Sequence, residues 1–188
     1  MDYSNTLLKV CDSLEKHDIP YMIIGGQAVL YYGYPRFTED IDITLGMEIS
    51  DSQKILSILK EINCKALVND PLDFIKSTWV LPVEEIVEKI KIDFTFSFSE
   101  YETQAIKNSI LVSYENKKIH FCSVDDLIIH KIFAGRSRDL DDVKNIYFSN
   151  IDKLNIEYIT KWLKEFNNTF NDSLGKDYVK LFNETIKK

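Results

Sequence analysis

Tyr21 to Leu45 reads YMIIGGQAVLYYGYPRFTEDIDITL, a run holding an apolar segment, a diglycine, an arginine and two alternating aspartates. Tyr21, Met22, Ile23 and Ile24 are stopped by Gly25-Gly26, and a helix-compatible segment follows. The pattern predicts strand, tight turn and helix start. Glycines without Cβ let a ligand approach the main chain, and the unpaired N–H groups that open a helix favour anions such as phosphate. The same diglycine is also the ordinary composition of a plain turn.

Thr38-Glu39-Asp40-Ile41-Asp42-Ile43 alternates with the period of a strand, so Ile41 and Ile43 face one way and Asp40 and Asp42 the other. Two carboxylates about 6.6 Å apart along a strand repel unless something positive sits between them. Hard oxygen ligands of this kind suit Mg²⁺; a solvated strand edge is the alternative. Lys91 to Phe98 alternates more cleanly still, with Ile92, Phe94, Phe96 and Phe98 on one face and Lys91, Asp93, Thr95 and Ser97 on the other. Asp93 supplies a third metal-directed carboxylate if this strand neighbours the first pair, and is otherwise an ordinary outward-facing residue.

Ser123-Val124-Asp125-Asp126 is a capping-box variant that opens an apolar helix from Leu127 to Ala134. Lys131 lies within that helix one turn from Leu127 and Ile128, so its stem is shared with apolar neighbours. A lysine there either finds an anion or snorkels to the surface. Gly135-Arg136-Ser137-Arg138 ends the helix. Asp139-Leu140-Asp141-Asp142 opens another, whose buried side is expected to be Leu140, Val143 and Tyr147. Acids in a first helical turn suit the dipole, which accounts for Asp141. The chain has three arginines against twenty lysines, and Arg36, Arg136 and Arg138 all fall in these two regions. The guanidinium fork grips phosphate in a way that lysine does not replace.

Gly25-Gly26, Gly33, Pro35, Arg36, Thr38 and the pair Asp40 and Asp42 together resemble the minimal nucleotidyltransferases of the DNA polymerase β superfamily. With the lysine helix and the Arg-Asp-x-x-Asp helix, the likeness is closest to the abortive-infection (AbiEii-type) toxins, and it covers about residues 20 to 147. The resemblance implies an α+β two-layer fold, a mixed sheet flanked by helices with a C-terminal helical subdomain. It implies an NTP substrate and Mg²⁺, two ions, with Mn²⁺ as a substitute, held by Asp40, Asp42 and Asp93. Asp93 would activate the attacking hydroxyl. Gly25, Gly26, Gln27, Arg36, Thr38, Arg136 and Arg138 would bind nucleotide, Lys131 would neutralise triphosphate charge, and Asp139 would orient neighbouring cations. Many members carry Gly-Ser in the turn, whereas Gly26 here precedes Gln27, so triphosphate contact falls to backbone amides or the Gln27 amide. The implied role is a toxin acting on the tRNA 3′ end, with a cognate antitoxin as partner. A protein hydroxyl and an aminoglycoside or lincosamide antibiotic are alternative acceptors, and a non-catalytic nucleotide-binding module is a reading from another class.

At 188 residues, 45% hydrophobic, the chain suits one core with an appendage, read as a catalytic domain over 1–122 and a helical subdomain over 123–188. The net charge of −7 argues against a protein that coats nucleic acid over a wide surface and leaves room for a local basic site. Cys11, Cys64 and Cys122 are far apart and odd in number, against a zinc cluster or a disulfide framework. Met1-Asp2-Tyr3 lacks a basic n-region, and no apolar run approaches the roughly 20 residues that span a bilayer. The expectation is a soluble cytoplasmic protein without a membrane partner.

Elsewhere the periodicity predicts helices over Ser4–His17 and through Ile55, Ile58, Leu59 and Ile62. It predicts a short strand at Ala66–Val68, a turn at Asn69–Asp73, and an edge strand at Trp79–Leu81 stopped by Pro82. Ile110–Tyr114 and Lys118–Phe121 read as a hairpin. Two aromatic stripes, Ile159/Trp162/Leu163/Phe166 and Tyr178/Leu181/Phe182, are expected on either side of a polar loop from Asn167 to Asp172. His17, His120 and His130 show no metal-ligand spacing.

Overall fold

The computed structural model describes residues 2–187 except 34, 36, 37, 39 and 98, with the backbone alone at 171–174. Arg36 and Phe98, both used in the sequence reading, lie outside the described residues. The chain forms two compact units, one from Met1–Gln27 with Phe37–Cys122 and one from Ala28–Arg36 with Ser123–Lys188.

The elements in order are α1 (Tyr3–Lys16), β1 (Tyr21–Ile23), α2 (Gly25–Tyr31), β2 (Asp40–Leu45), α3 (Ser52–Ile58), β3 (Cys64–Ala66), α4 (Pro71–Thr78), β4 (Val80–Glu85), β5 (Lys91–Phe96), α5 (Glu100–Lys107), β6 (Ile110–Tyr114), β7 (Lys117–Phe121), α6 (Val124–Ala134), α7 (Ser137–Ser149), α8 (Ile156–Leu174) and α9 (Tyr178–Thr185). The fold is α+β, as the sequence predicts. Among the described residues seven strands form one mixed sheet in the order β3-β4-β5-β2-β1-β7-β6, with β2–β5 and β1–β7 parallel and the other neighbours antiparallel. Alternation builds the core directly: Ile41, Ile43, Leu45, Ile92, Phe94 and Phe96 are all fully buried. Among the described residues no helix is long and apolar enough to cross a membrane.

Several local expectations are corrected. The diglycine does not precede its helix; it forms the first turn of α2, with Gly25 in the left-handed region at φ +61°. The second helix stops at Ile58, although Leu59 and Ile62 stay buried beyond it. The short strand lies at Cys64–Ala66. The turn expected at Asn69–Asp73 instead starts α4. Asp70 caps it by accepting the Asp73 N–H at 3.2 Å, and Pro71, whose fixed φ suits a first helical position, begins it.

Strand β4 runs through Pro82 and is interior, between β3 and β5. Pro82 accepts from the Leu67 N–H at 2.9 Å. In an antiparallel strand a residue's nitrogen and carbonyl face the same neighbour, so the missing donor of Pro82 faces Leu67, one residue beyond β3, and the β3–β4 ladder ends there with one bond of that pair unmade.

Helix α5, to which the sequence reading assigned nothing, carries a full capping box of Ser99 and Glu102. The polar stretch from Asn167 to Asp172 is helical and continues α8 to Leu174. Gly175 at φ +61° follows, and Asp177 caps α9. The buried stripe of α7 is Asp139, Asp142, Val143 and Ile146; Val143 lies inward as expected, while Leu140 and Tyr147 are only half-buried. The helix is turned to bring two acids inward, for a reason found in α6.

Candidate active site

In the sheet unit, β2 and β5 run parallel in a register that sets Asp42 opposite Asp93 and Asp40 opposite Lys91. Adjacent strands lie about 4.8 Å apart. Burial of Ile41, Ile43, Ile92 and Phe94 on one face therefore leaves Asp40, Asp42 and Asp93 together on the other, all half-buried. Burial pushes the Asp93 carboxyl above the usual carboxylate range, and the charge of Asp40 pushes it further, against a smaller pull from Lys91. Thr38 Oγ1 donates to Asp40 Oδ1 and to the Asp40 carbonyl, each at 3.2 Å. Thr38 thus holds a carboxylate.

The carboxylate of Asp42 lies over Gly25. A Cβ built on Gly25 would stand 1.8 Å from Asp42 Oδ2 and 2.5 Å from its Cγ. The Ile24 N–H donates to the Asp42 carbonyl at 3.0 Å, locking the strand end to the helix start. Gly25 is therefore required twice, by its φ and by this contact. Gly26 is buried and Gln27 half-buried beside it. Gly25→Ala is expected to cost about 1–2 kcal/mol from the left-handed backbone alone and to displace the Asp42 carboxylate. An unchanged melting temperature would contradict this.

These donors suit a hard divalent cation. All are carboxylate oxygens, and Asp93, raised first by burial and then by the charge of Asp40, is a group whose ionised form a cation would favour. Among the described residues no three His, Cys, Asp or Glu side chains form a ready-made cage.

In the helical unit, Gly135 at φ +63° caps α6 and turns the chain into α7. Lys131 in the last turn of α6 then meets the first turns of α7. Its Nζ donates to Asp139 Oδ1 at 2.9 Å and to Asp142 Oδ2 at 2.7 Å. The three side chains are 7%, 3% and 2% exposed. Arg136 Nε donates to Asp139 Oδ2 at 2.5 Å and its Nη2 to Oδ1 at 3.2 Å, from a side chain 78% exposed. Burial raises the proton affinity of Asp139, but the hydrogen bonds and charges of Arg136 and Lys131 outweigh it and hold the carboxyl below the usual range. The anion that the sequence asks of Lys131 is supplied by the chain, and Asp142 is its second acceptor. The Asp139-x-x-Asp142 spacing is the signal for it. Arg138 is exposed on the same turn.

Next to this cluster His130 is buried, and burial, with the Lys131 charge, brings its pKa down to about 4. Its ordinary value is near 6.5, so below that pH the unfolded chain binds the extra proton and the fold does not. Its contribution to stability is complete above about pH 6.5 and is lost progressively as pH falls toward 4. Urea midpoints measured across that interval should fall, and His130→Asn should flatten the fall. Two surface cavities of about 430 and 440 Å³, lined around Asp18, Glu48 and Asp51 and around Thr160, Lys161 and Lys164, contain none of the predicted site residues.

No curated protein matches the chain in sequence. Among solved structures, the antibiotic-resistance factor ANT(2'')-Ia has a TM-score of 0.65 at 12% identity, over 92% of this chain and 96% of its own. Lincosamide antibiotic adenylyltransferase LnuA, solved with lincomycin bound, has a TM-score of 0.54 at 20% identity, over 76% and 94%. An antigenic nucleotidyltransferase-like protein from Paracoccidioides brasiliensis has a TM-score of 0.58 at 15% identity, over 96% and 93%. At such identities the likeness is one of fold. The family model described as "Nucleotidyltransferase of unknown function (DUF6036)" matches residues 4–188.

Proposed function

The chain belongs to this nucleotidyltransferase family, and from that premise we propose that it moves a nucleoside monophosphate from an NTP onto an acceptor hydroxyl at the carboxylates of β2 and β5, the acceptor oxygen bonding to the α-phosphorus as the α–β phosphoanhydride breaks and pyrophosphate leaves. The observation that carries the reading is the parallel register setting Asp42 against Asp93, with the Asp42 carboxylate over Gly25 at the opening of α2. Asp40 and Asp42 hold metal, Asp40 being steadied by Thr38. Asp93, whose raised proton affinity makes it the more basic carboxylate, takes the proton of the attacking hydroxyl. The Gly25 and Gly26 amides and Gln27 receive the triphosphate. What Mg²⁺ or Mn²⁺ supplies at such a set is neutralisation of the attacking and leaving oxygens.

The resemblance gives Arg36, Arg136, Arg138 and Lys131 to the triphosphate as well. Lys131 is already engaged with Asp139 and Asp142. In this reading Arg136 and Arg138, whose side chains are exposed, are left as the helical unit's candidates for phosphate, and Asp139 is a positioning residue that fixes Arg136.

For the acceptor, the resemblance favours the tRNA 3′ end and a toxin role with a cognate antitoxin. A second reading, a cationic small molecule such as an aminoglycoside or lincosamide, rests on charge. Residues 1–27 and 37–122 hold nineteen acidic side chains against eleven basic ones, which disfavours a polyanion and attracts a cation. It also rests on the fold shared with enzymes named for such antibiotics. Incubation with each labelled NTP, Mg²⁺ and either total tRNA or the drugs separates these. Label entering RNA supports the toxin and label entering drug the resistance enzyme. NTP binding with no transfer to RNA, drug or protein would instead make the chain a binding module and sink the proposal.

A further inference from the structure

The sheet ends on one side at β6, whose outer edge carries no strand among the described residues. The strand reads Ile110-Leu111-Val112-Ser113-Tyr114, without proline, glycine or charge. The opposite edge is built differently, since β3 is three residues long with exposed Lys65 at its centre. Shortness and lysine are the usual ways of blunting an edge against pairing. Strand β6 has neither.

The hairpin turn fixes which backbone groups β6 offers. Tyr114 pairs with Lys117 across the two residues Glu115 and Asn116, with Glu115 at φ +50°. Residues flanking a two-residue turn form a hydrogen-bonded pair, and bonded pairs alternate from there. Ile110, Val112 and Tyr114 thus spend their N–H and C=O groups on β7, while Leu111 and Ser113 point theirs outward. Their side chains are open too, with Leu111 58% exposed and Ser113 exposed. On the other face Val112 is buried, and the Tyr114 hydroxyl lies 3.2 Å from Ser4 Oγ of α1.

We infer that β6 is the seam of a homodimer, in which a second copy of this chain pairs antiparallel to it about a two-fold axis at Val112. The occupant is a second copy because the strand is complementary to itself. Its two outward-bonding residues are symmetric about Val112, so the axis sets Leu111 and the partner's Ser113 in a bonded position, each such pair exchanging two hydrogen bonds. Ile110 meets the partner's Tyr114, an aliphatic–aromatic cross-strand pair. No charged side chain of either strand faces another across the seam, and two sheets become one. The net charge of −7 opposes association, so the dimer tightens as salt is raised.

Sedimentation equilibrium of the full chain tests this. The expected mass is twice the 22.0 kDa of the chain, with dissociation at low salt. Leu111→Lys and Ser113→Pro should each give the single-chain mass with unchanged circular dichroism, because the Ser113 N–H is not used within the hairpin. The double variant Leu111→Cys/Ser113→Cys should cross-link copies under mild oxidation, the native cysteines being buried. A parent that sediments as one chain at every salt concentration overturns the inference, as does a dimer that survives both single substitutions.

Discussion

Lys131→Met should lower the unfolding free energy by about 3–5 kcal/mol, the cost of removing one member of a buried ionic cluster. Methionine matches the lysine stem in length and keeps its apolar contacts, so the loss falls on the ammonium. Asp142, 2% exposed, loses its bond at 2.7 Å, and Asp139 is left to Arg136. Replacing both acids by asparagine as well should recover most of the loss, since a buried ionic group often gives little net stability over a neutral one. The pH dependence has a definite sign. The lowered proton affinity of Asp139 gives stability that is present above the ordinary carboxylate pKa and is lost as pH falls through the folded value. The gap between parent and Lys131→Met should therefore narrow in acid. A difference under about 1 kcal/mol in urea unfolding at neutral pH, the value of an exposed pair, would remove this cluster from the account of the helical unit.

Asp42→Asn should reduce nucleotidyl transfer about 10²- to 10⁴-fold, the several kcal/mol of charge stabilisation that a metal-binding carboxylate supports. Asparagine fills the same space over Gly25 and leaves the Ile24–Asp42 backbone bond untouched, so melting should stay near that of the parent. Asp93→Asn gives the sharper contrast. A carboxyl whose folded proton affinity is raised costs stability once pH exceeds its ordinary value, and Asp93 is such a group. At neutral pH the asparagine variant should be inactive and melt no lower than the parent. Activity within tenfold of the parent in either variant would refute the carboxylate assignment.

The carboxylate strands were legible because period-two alternation sorts side chains between faces without any tertiary knowledge. Their parallel adjacency was not, because nothing local in Asp40–Leu45 specifies which distant strand lies beside it. Helical spacing leaves Lys131 open between an anion and the surface, and it misplaces the stripe of α7, because hydrophobic periodicity assigns Leu140 inward and cannot foresee that a buried ammonium draws in Asp139 and Asp142. Proline composition points Pro82 to an edge, yet its strand is interior, because the missing donor falls on the last pair of the short β3–β4 ladder, opposite Leu67. Asp70-Pro71 and Asn167–Asp172 show the limit of composition: the same residue types make turns, helix starts or the continuation of a helix.

The register of β2 against β5 also bears on the order in which the protein assembles. Asp42 and Asp93 are about fifty residues apart in the chain, and β1 waits for Phe121 to pair with Ile23. Parallel pairing at such separation pays its loop-closure entropy before any contact rewards it. On the ribosome, β1 and β2 emerge long before their outer partners, so the carboxylate pair is absent from the nascent chain until β5 has been synthesised. Competence for chemistry is in this sense a late property of folding, acquired with the closing of the sheet.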